Sequence, residues 1–262
     1  MKKELIAHKS PKSPVAESFR TLRTNIQFMN SKKNLRSLLV TSTMPGEGKS
    51  WVTANLATTF AQAGKKVIII DADMRKGRQH TIFTVESKPG LSNYLLAASE
   101  NKGVDVLEYI KRTGVDNLYL LTTGNVPPNP SELLASEATI EMIEKLKDYF
   151  DILIFDGTPS LIVTDAMIVA RIVDSTIIVT EHNETKKENL EKVKRSLESV
   201  GASVAGVVLN KIPVNAKKYE NSYYYGGRDT KAREYSDINI KMDKEDKIKN
   251  ELDNYFKNKK GE

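Results

Sequence analysis

The sequence has no cysteine. That excludes a disulfide framework and thiol catalysis, and it suits a reducing compartment. Long apolar runs are missing too. The longest are short, such as "VIII" at 67–70, against the roughly 18 residues that a membrane-spanning helix needs. The opening "MKKELIAHKSPKSP" is basic but has no apolar core after its charges, so it does not read as a signal peptide. Work at a membrane would therefore require another component to bring the chain there. The charge surplus is small, 40 basic against 34 acidic residues for a net charge of +6. The lysines are scattered and no base-stacking motif lies among them, so no nucleic-acid partner is expected. Aromatics make up 7% of the chain, with Trp51 the single tryptophan.

The 262 residues, 39% hydrophobic and 28% charged, suffice for one large α/β domain or two small ones. Buried runs recur: "LRSLLVTST", "KKVIIIDAD", "FDILIFD", "STIIVTE" and "SVAGVVLNKI". They alternate with helical stretches, among them residues 49–63 and "KKENLEKVKRSLESVG". Continuous β-branched runs between helices indicate a doubly wound, mainly parallel sheet with helices on both faces. A short helix is expected at "LSNYLLAAS", a strand at "LYLLTT", and a proline-rich loop leading into a helix at "GNVPPNPSELLAS".

Residues 1–14 are polar, with Pro11 and Pro14, and read as a flexible arm. The next stretch spaces Phe19, Leu22, Ile26 and Met29 at helical intervals. After Pro213 the strand pattern stops, which sets the domain at 15–213 and a polar tail at 214–262. The tail holds Tyr219, Tyr223, Tyr224, Tyr225 and Tyr235, and no nearby sequence looks able to bury them. It ends in "KEDKIKNELDNYFKNKK", where Ile248, Leu252, Tyr255 and Phe256 fall on one helical stripe.

"TSTMPGEGKSW" lies between a strand and a helix and has the order of a phosphate loop. Successive backbone N–H groups must curl around a phosphate, so glycine is needed where a side chain would block approach. The helix N-terminus adds its positive dipole end. The candidate nucleotide-binding residues are Pro45, Gly46, Glu47, Gly48, Lys49, Ser50 and Trp51, although the Trp51 ring reads as a packing group. Lys49 would reach the β- and γ-phosphates and the Ser50 hydroxyl would ligate Mg²⁺. Thr43 stands where the consensus has its first glycine, so the loop is a variant.

Such a loop needs carboxylates at neighbouring strand ends to hold the metal shell. "ILIFD" ends in Asp156, and "VIIIDAD" ends in Asp71 and Asp73, which point to one side of an extended chain. In a parallel sheet, ligands bind at these carboxyl ends. Ser50, Asp71, Asp73 and Asp156 are the candidate metal ligands, and one of Asp71 and Asp73 is free to take a proton from an attacking hydroxyl or water.

These motifs closely resemble the bacterial tyrosine kinases of the P-loop type in their separate cytoplasmic form, within the wider class of deviant-Walker ATPases. "ESFRTLRTNIQF" and "GNVPPNPSELL" single out that family, and the likeness runs over about 13–212. It implies ATP with Mg²⁺ and phosphoryl transfer to tyrosine, with Lys49, Asp71 and Asp73 as catalytic residues and Asp71 favoured as the base. Arg75 and Lys76 match a basic pair of the family. Glu17, Arg20 and Arg23 match its E-x-x-R-x-x-R pattern, which implies subunit contacts in a ring where one tail reaches a neighbour's site. On residues alone, a spacing of three places these charges along one helix face, able to pair. The resemblance makes the tail tyrosines autophosphorylation sites. It also implies a separate transmembrane activator that recruits a cytoplasmic chain to the inner face of the membrane, further protein substrates, and a role in capsule or exopolysaccharide synthesis and export. Two departures stand out: Gly157-Thr158-Pro159 follows Asp156 where threonine and two prolines are common, and residues continue beyond the tyrosine cluster.

A second hypothesis is a membrane-surface ATPase switch resembling the partition and division-site ATPases, with residues 241–260 as a reversible anchor. Asp243, Glu245, Asp246, Glu251 and Asp253 dilute any basic face there and weigh against it.

Overall fold

A computed structural model describes residues 4–29, 35–100 and 103–213. The tail tyrosines and the 248–256 stripe lie outside these residues. A four-residue helix, α1 (Ile6–Lys9), and a 16-residue helix, α2 (Pro14–Met29), come first. The rest alternates: β1 (Ser37–Ser42), α3 (Lys49–Gln62), β2 (Val67–Asp71), α4 (Gln79–Phe83), α5 (Leu91–Glu100), β3 (Ile110–Arg112) and β4 (Leu118–Leu121). Then come α6 (Pro130–Leu134), α7 (Glu137–Tyr149), β5 (Ile152–Pro159), α8 (Asp165–Ile172), β6 (Ser175–Glu181), α9 (Lys187–Ser199) and β7 (Val204–Asn210).

Among the described residues the seven strands form one sheet in the order β3-β4-β2-β5-β1-β6-β7. All pairs are parallel except β3 with β4. Helices α1 to α4 gather around α3 on one face, and α5 to α9 cover the other. Leu38, Val40, Ile69, Ile154 and Ile177 of the strands pack with Val52, Leu56 and Phe60 of α3. Residues buried from both sides explain why these strands read as unbroken apolar runs.

Three features differ from the sequence expectation. Residues 4–14 are no flexible arm: Leu5 and Ala7 have no exposure and Leu5 joins the core against α3. The backbone there is satisfied by the buried face of α3. Ala7 N–H donates to Asn55 Oδ1 at 2.9 Å, Asn55 Nδ2 to Glu4 O at 3.1 Å, and Gln62 Nε2 to Ala7 O at 2.9 Å. Two apolar side chains and three paired polar groups outweigh the polar composition of the stretch. Second, β5 continues beyond Asp156 to Pro159, because Pro159 pairs with Ser42 after a register shift in β1 and Thr41 Oγ1 donates to Thr158 O at 2.6 Å. Third, β3 and α4 have no clear signal in the sequence, being three and five residues long.

The docking of residues 4–9 predicts a stability effect. Leu5→Ala should lower the unfolding free energy by about 2 kcal/mol or more, as for a buried leucine. A change within about 0.5 kcal/mol in urea unfolding, the range of surface substitutions, would show the segment to be free.

Candidate nucleotide site

The carboxyl end of β1 runs into the loop at 43–48, and α3 starts at Lys49. Gly46 and Gly48 adopt φ of +90° and +95°, left-handed backbone that a side chain disfavours. Gly48 is also crowded: a Cβ there would lie 2.1 Å from Asn210 Nδ2, which donates to Glu47 O at 2.8 Å. Glu47 is buried, and its carboxylate accepts from Thr43 Oγ1 at 2.6 Å, from Met44 N–H at 2.8 Å and from Thr185 Oγ1. Thr43 therefore has a use where the consensus has glycine: its hydroxyl helps to tie the loop's own glutamate. Pro45 is exposed at the loop tip. The Trp51 ring packs edge-on against Phe19 of α2 at 5.1 Å, as a packing residue does.

Register brings the carboxylates together. Asp71 and Asp156 are paired positions of the parallel strands β2 and β5, and both are fully buried. Asp73 is 4% exposed just beyond β2. Lys49 Nζ lies 2.9 Å from Asp73 Oδ2, 3.6 Å from Asp156 Oδ1 and 3.3 Å from Ser50 Oγ. The predicted Lys49, Ser50, Asp71, Asp73 and Asp156 thus share one buried end of the sheet. Burial, then the charge of Asp156, pushes the Asp71 carboxyl well above the usual range, against the Gln79 N–H and Lys49. Burial depresses the Lys49 ammonium, but Asp156 and Asp73 together more than reverse this and hold it above its ordinary value.

Sequence reasoning missed Gln79. It has no exposure, and its Nε2 donates to Ser50 O at 2.9 Å and to Asp156 Oδ2 at 2.8 Å. Its backbone N–H donates to Asp71 Oδ2 at 2.9 Å. Asp165 was missed too: it pairs with Arg75 at 2.8 Å and accepts from Ser131 Oγ at 2.6 Å, tying the chain after β2 to α6 and α8. Lys76 contributes its backbone N–H to Asp73 Oδ1 at 2.9 Å. A glutamine or aspartate far along the chain carries no sign of these contacts in its local sequence.

The helix-face charges of α2 pair only in part. Arg20 Nε donates to Glu17 Oε2 at 2.8 Å and Arg20 Nη2 to Pro11 O at 2.6 Å. Arg23 turns inward instead, and its Nη1 donates to Thr59 O in α3 at 2.7 Å.

Buried acceptors without a hydrogen-bond donor fit a cation. Asp71 Oδ1 and Asp156 Oδ1 are such atoms. Among the described residues no three carboxylate, imidazole or thiol side chains form a ready cage. Mg²⁺ is commonly held by one or two carboxylates together with phosphates and water, so the donor set suits it.

Comparison with known proteins agrees with this geometry. A family model described as an AAA domain matches residues 21–206. The chain is 43% identical to CapB of Staphylococcus aureus over 86% of its own length and 96% of CapB. It is 38% identical to the tyrosine-protein kinase YwqD of Bacillus subtilis over 87% of this chain and 94% of that one. The solved kinase domain of the Escherichia coli tyrosine kinase ETK superposes with a TM-score of 0.75 at 31% identity, covering 88% of this chain and 84% of that domain.

Two glycine variants separate backbone strain from overlap. Gly46→Ala and Gly48→Ala both place a side chain in left-handed backbone, at about 1–2 kcal/mol. Only Gly48→Ala also displaces Asn210 from Glu47 O. Nucleotide affinity measured by calorimetry should therefore fall further in Gly48→Ala, by about the 1 kcal/mol of one hydrogen bond. Equal losses would contradict a loop held by Asn210.

Proposed function

Because this chain belongs to the AAA-domain family and, within it, to the bacterial tyrosine kinases of the P-loop type, we propose that it binds ATP with Mg²⁺ and phosphorylates tyrosine, including Tyr219, Tyr223, Tyr224, Tyr225 and Tyr235 of its own tail. The observation that carries this is Lys49 Nζ beside Asp73 and Asp156, at 2.9 and 3.6 Å, at the mouth of the glycine-bearing loop. A positive group here meets the charge that develops on a transferring phosphoryl group. The phosphate seat is the backbone of residues 45–51, ending at the N-terminus of α3.

The metal would be held by Ser50 with one or two of the carboxylates Asp71, Asp73 and Asp156. A metal held there would supply positive charge against the phosphate oxygens. The tyrosine oxygen attacks the γ-phosphorus, the bond from that phosphorus to the ADP oxygen breaks, and the hydroxyl proton passes to a carboxylate. Asp71 is the group assigned to take it, as the family resemblance implies; its Oδ1 has no hydrogen-bond donor of its own.

A ring of identical subunits would let one tail reach a neighbour's site, with the solvent-facing Glu17 and Arg20 in the contact and Arg23 bracing α2 on α3. Each phosphate adds about −1.5 to −2 charge, so a phosphorylated tail would be repelled from a carboxylate-lined site and the ring would loosen. No helix of the described residues is long and apolar enough to cross a membrane. Recruitment to the inner face of the membrane is assigned to a separate transmembrane activator, and the process served to capsule or exopolysaccharide synthesis and export, with other proteins of that synthesis as further substrates. The membrane-surface switch is not favoured: relatives that match over 94% or more of their length include a named tyrosine-protein kinase.

Lys49→Met tests the assignment. It should cut phosphotyrosine formation by about 10²- to 10³-fold, the loss typical of one transition-state partner. Phenylalanine at all five tail tyrosines should remove most autophosphorylation and leave ATP affinity unchanged. Undiminished phosphotyrosine in the five-fold variant would place the acceptors elsewhere.

A further inference from the structure

The three site carboxylates share one pattern. In each, one oxygen is anchored by the short segment after β2 and the other is presented to the site. Lys76 N–H holds Asp73 Oδ1, Gln79 N–H holds Asp71 Oδ2, and Gln79 Nε2 holds Asp156 Oδ2. The second oxygens are Asp73 Oδ2, on Lys49, Asp71 Oδ1, which has no hydrogen-bond donor, and Asp156 Oδ1, which has none either but lies 3.6 Å from Lys49 Nζ. Gln79 alone supplies two of the three anchors. Its second amide proton goes to Ser50 O at 2.9 Å, so one side chain joins α3 to β5.

We propose that Gln79 is a positioning residue for the metal–nucleotide complex: its carboxamide fixes the spacing between Ser50 and Asp156, and its backbone N–H fixes the rotation of Asp71. The inference rests on the Mg²⁺ reading above. The chemistry favours an amide over the alternatives. Both neighbours of Nε2 are acceptors, an oxygen of a carboxylate and a peptide carbonyl, so a two-proton donor is required. A glutamate would set a second negative charge against Asp156. Gln79 reaches this depth because the chain before it passes close to Asp71. A Cβ on Gly77 would lie 2.8 Å from Asp71 Oδ2 and 2.1 Å from Thr123 Cγ2, so the turn depends on glycine. A partner that orients a metal ligand commonly changes metal affinity by about 10- to 100-fold when removed.

Gln79→Met keeps the length of the side chain and removes both donors. The test is a Mg²⁺ titration of fluorescent ADP binding to the full chain, with metal-free ADP affinity and melting temperature measured beside it. The Mg²⁺ concentration for half-saturation should rise about 10- to 100-fold, while metal-free ADP binding stays within about twofold. In an Asp156→Asn background the same substitution should add less than about twofold, since its partner has already been changed. An unchanged Mg²⁺ requirement in Gln79→Met would overturn the proposal, as would a full effect persisting in the Asp156→Asn background. Should Gln79→Met melt below the assay temperature, Gln79→Thr, which keeps one donor, is titrated in its place under the same criteria. A wild-type protein that binds ADP with no Mg²⁺ dependence would instead contradict the metal reading itself.

Discussion

Parallel pairing of β2 with β5 sets Asp71 directly beside Asp156, with no exposure for either. Two adjacent buried carboxylates oppose each other, and burial disfavours their charged forms. Much of the surrounding structure answers that constraint. Lys49 brings a positive charge to Asp156 and Asp73 from the first turn of α3. Gln79 brings amide protons from the start of α4. The glycines at 46, 48 and 77 let the backbone pass where side chains would collide or strain. Buried carboxylates with oxygens that lack hydrogen-bond donors are a donor set that a divalent cation suits.

The same constraint makes the position of α3 matter, since that helix carries Lys49 and Ser50. It is braced from behind by segments outside the central alternation of strands and helices. Asn55 and Gln62 bind the backbone of residues 4–7, Trp51 packs on Phe19, and Thr59 accepts from Arg23. The N-terminal residues and α2 are thus joined physically to the helix that bears Lys49. In the proposed ring, a contact made through Glu17 and Arg20 would lie one helix away from Lys49 and Ser50.

Much of this was legible in the sequence because its signals are local. The buried strands showed as apolar runs, and the loop showed as glycines and lysine at fixed spacing between a strand and a helix. Asp71, Asp73 and Asp156 showed as carboxylates at or near strand ends. What escaped depends on distant partners. Gln79 looks like any polar residue in "RKGRQHTIF" until the fold places Ser50 and Asp156 on either side of its amide. Residues 4–14 looked loose because charge and proline dominate their composition, whereas two apolar side chains and a facing asparagine decide their place. Arg23 looked like part of an exposed charged row, yet a carbonyl on α3 draws it inward.

The central claim is that Lys49 and the buried carboxylates serve phosphoryl transfer to tyrosine rather than ATP hydrolysis alone. Peptide mass spectrometry of the wild-type chain after incubation with ATP and Mg²⁺ tests this most directly. Phosphate on tyrosines between Tyr219 and Tyr235 is the predicted result. Consumption of ATP with no phosphotyrosine anywhere on the chain would contradict the account.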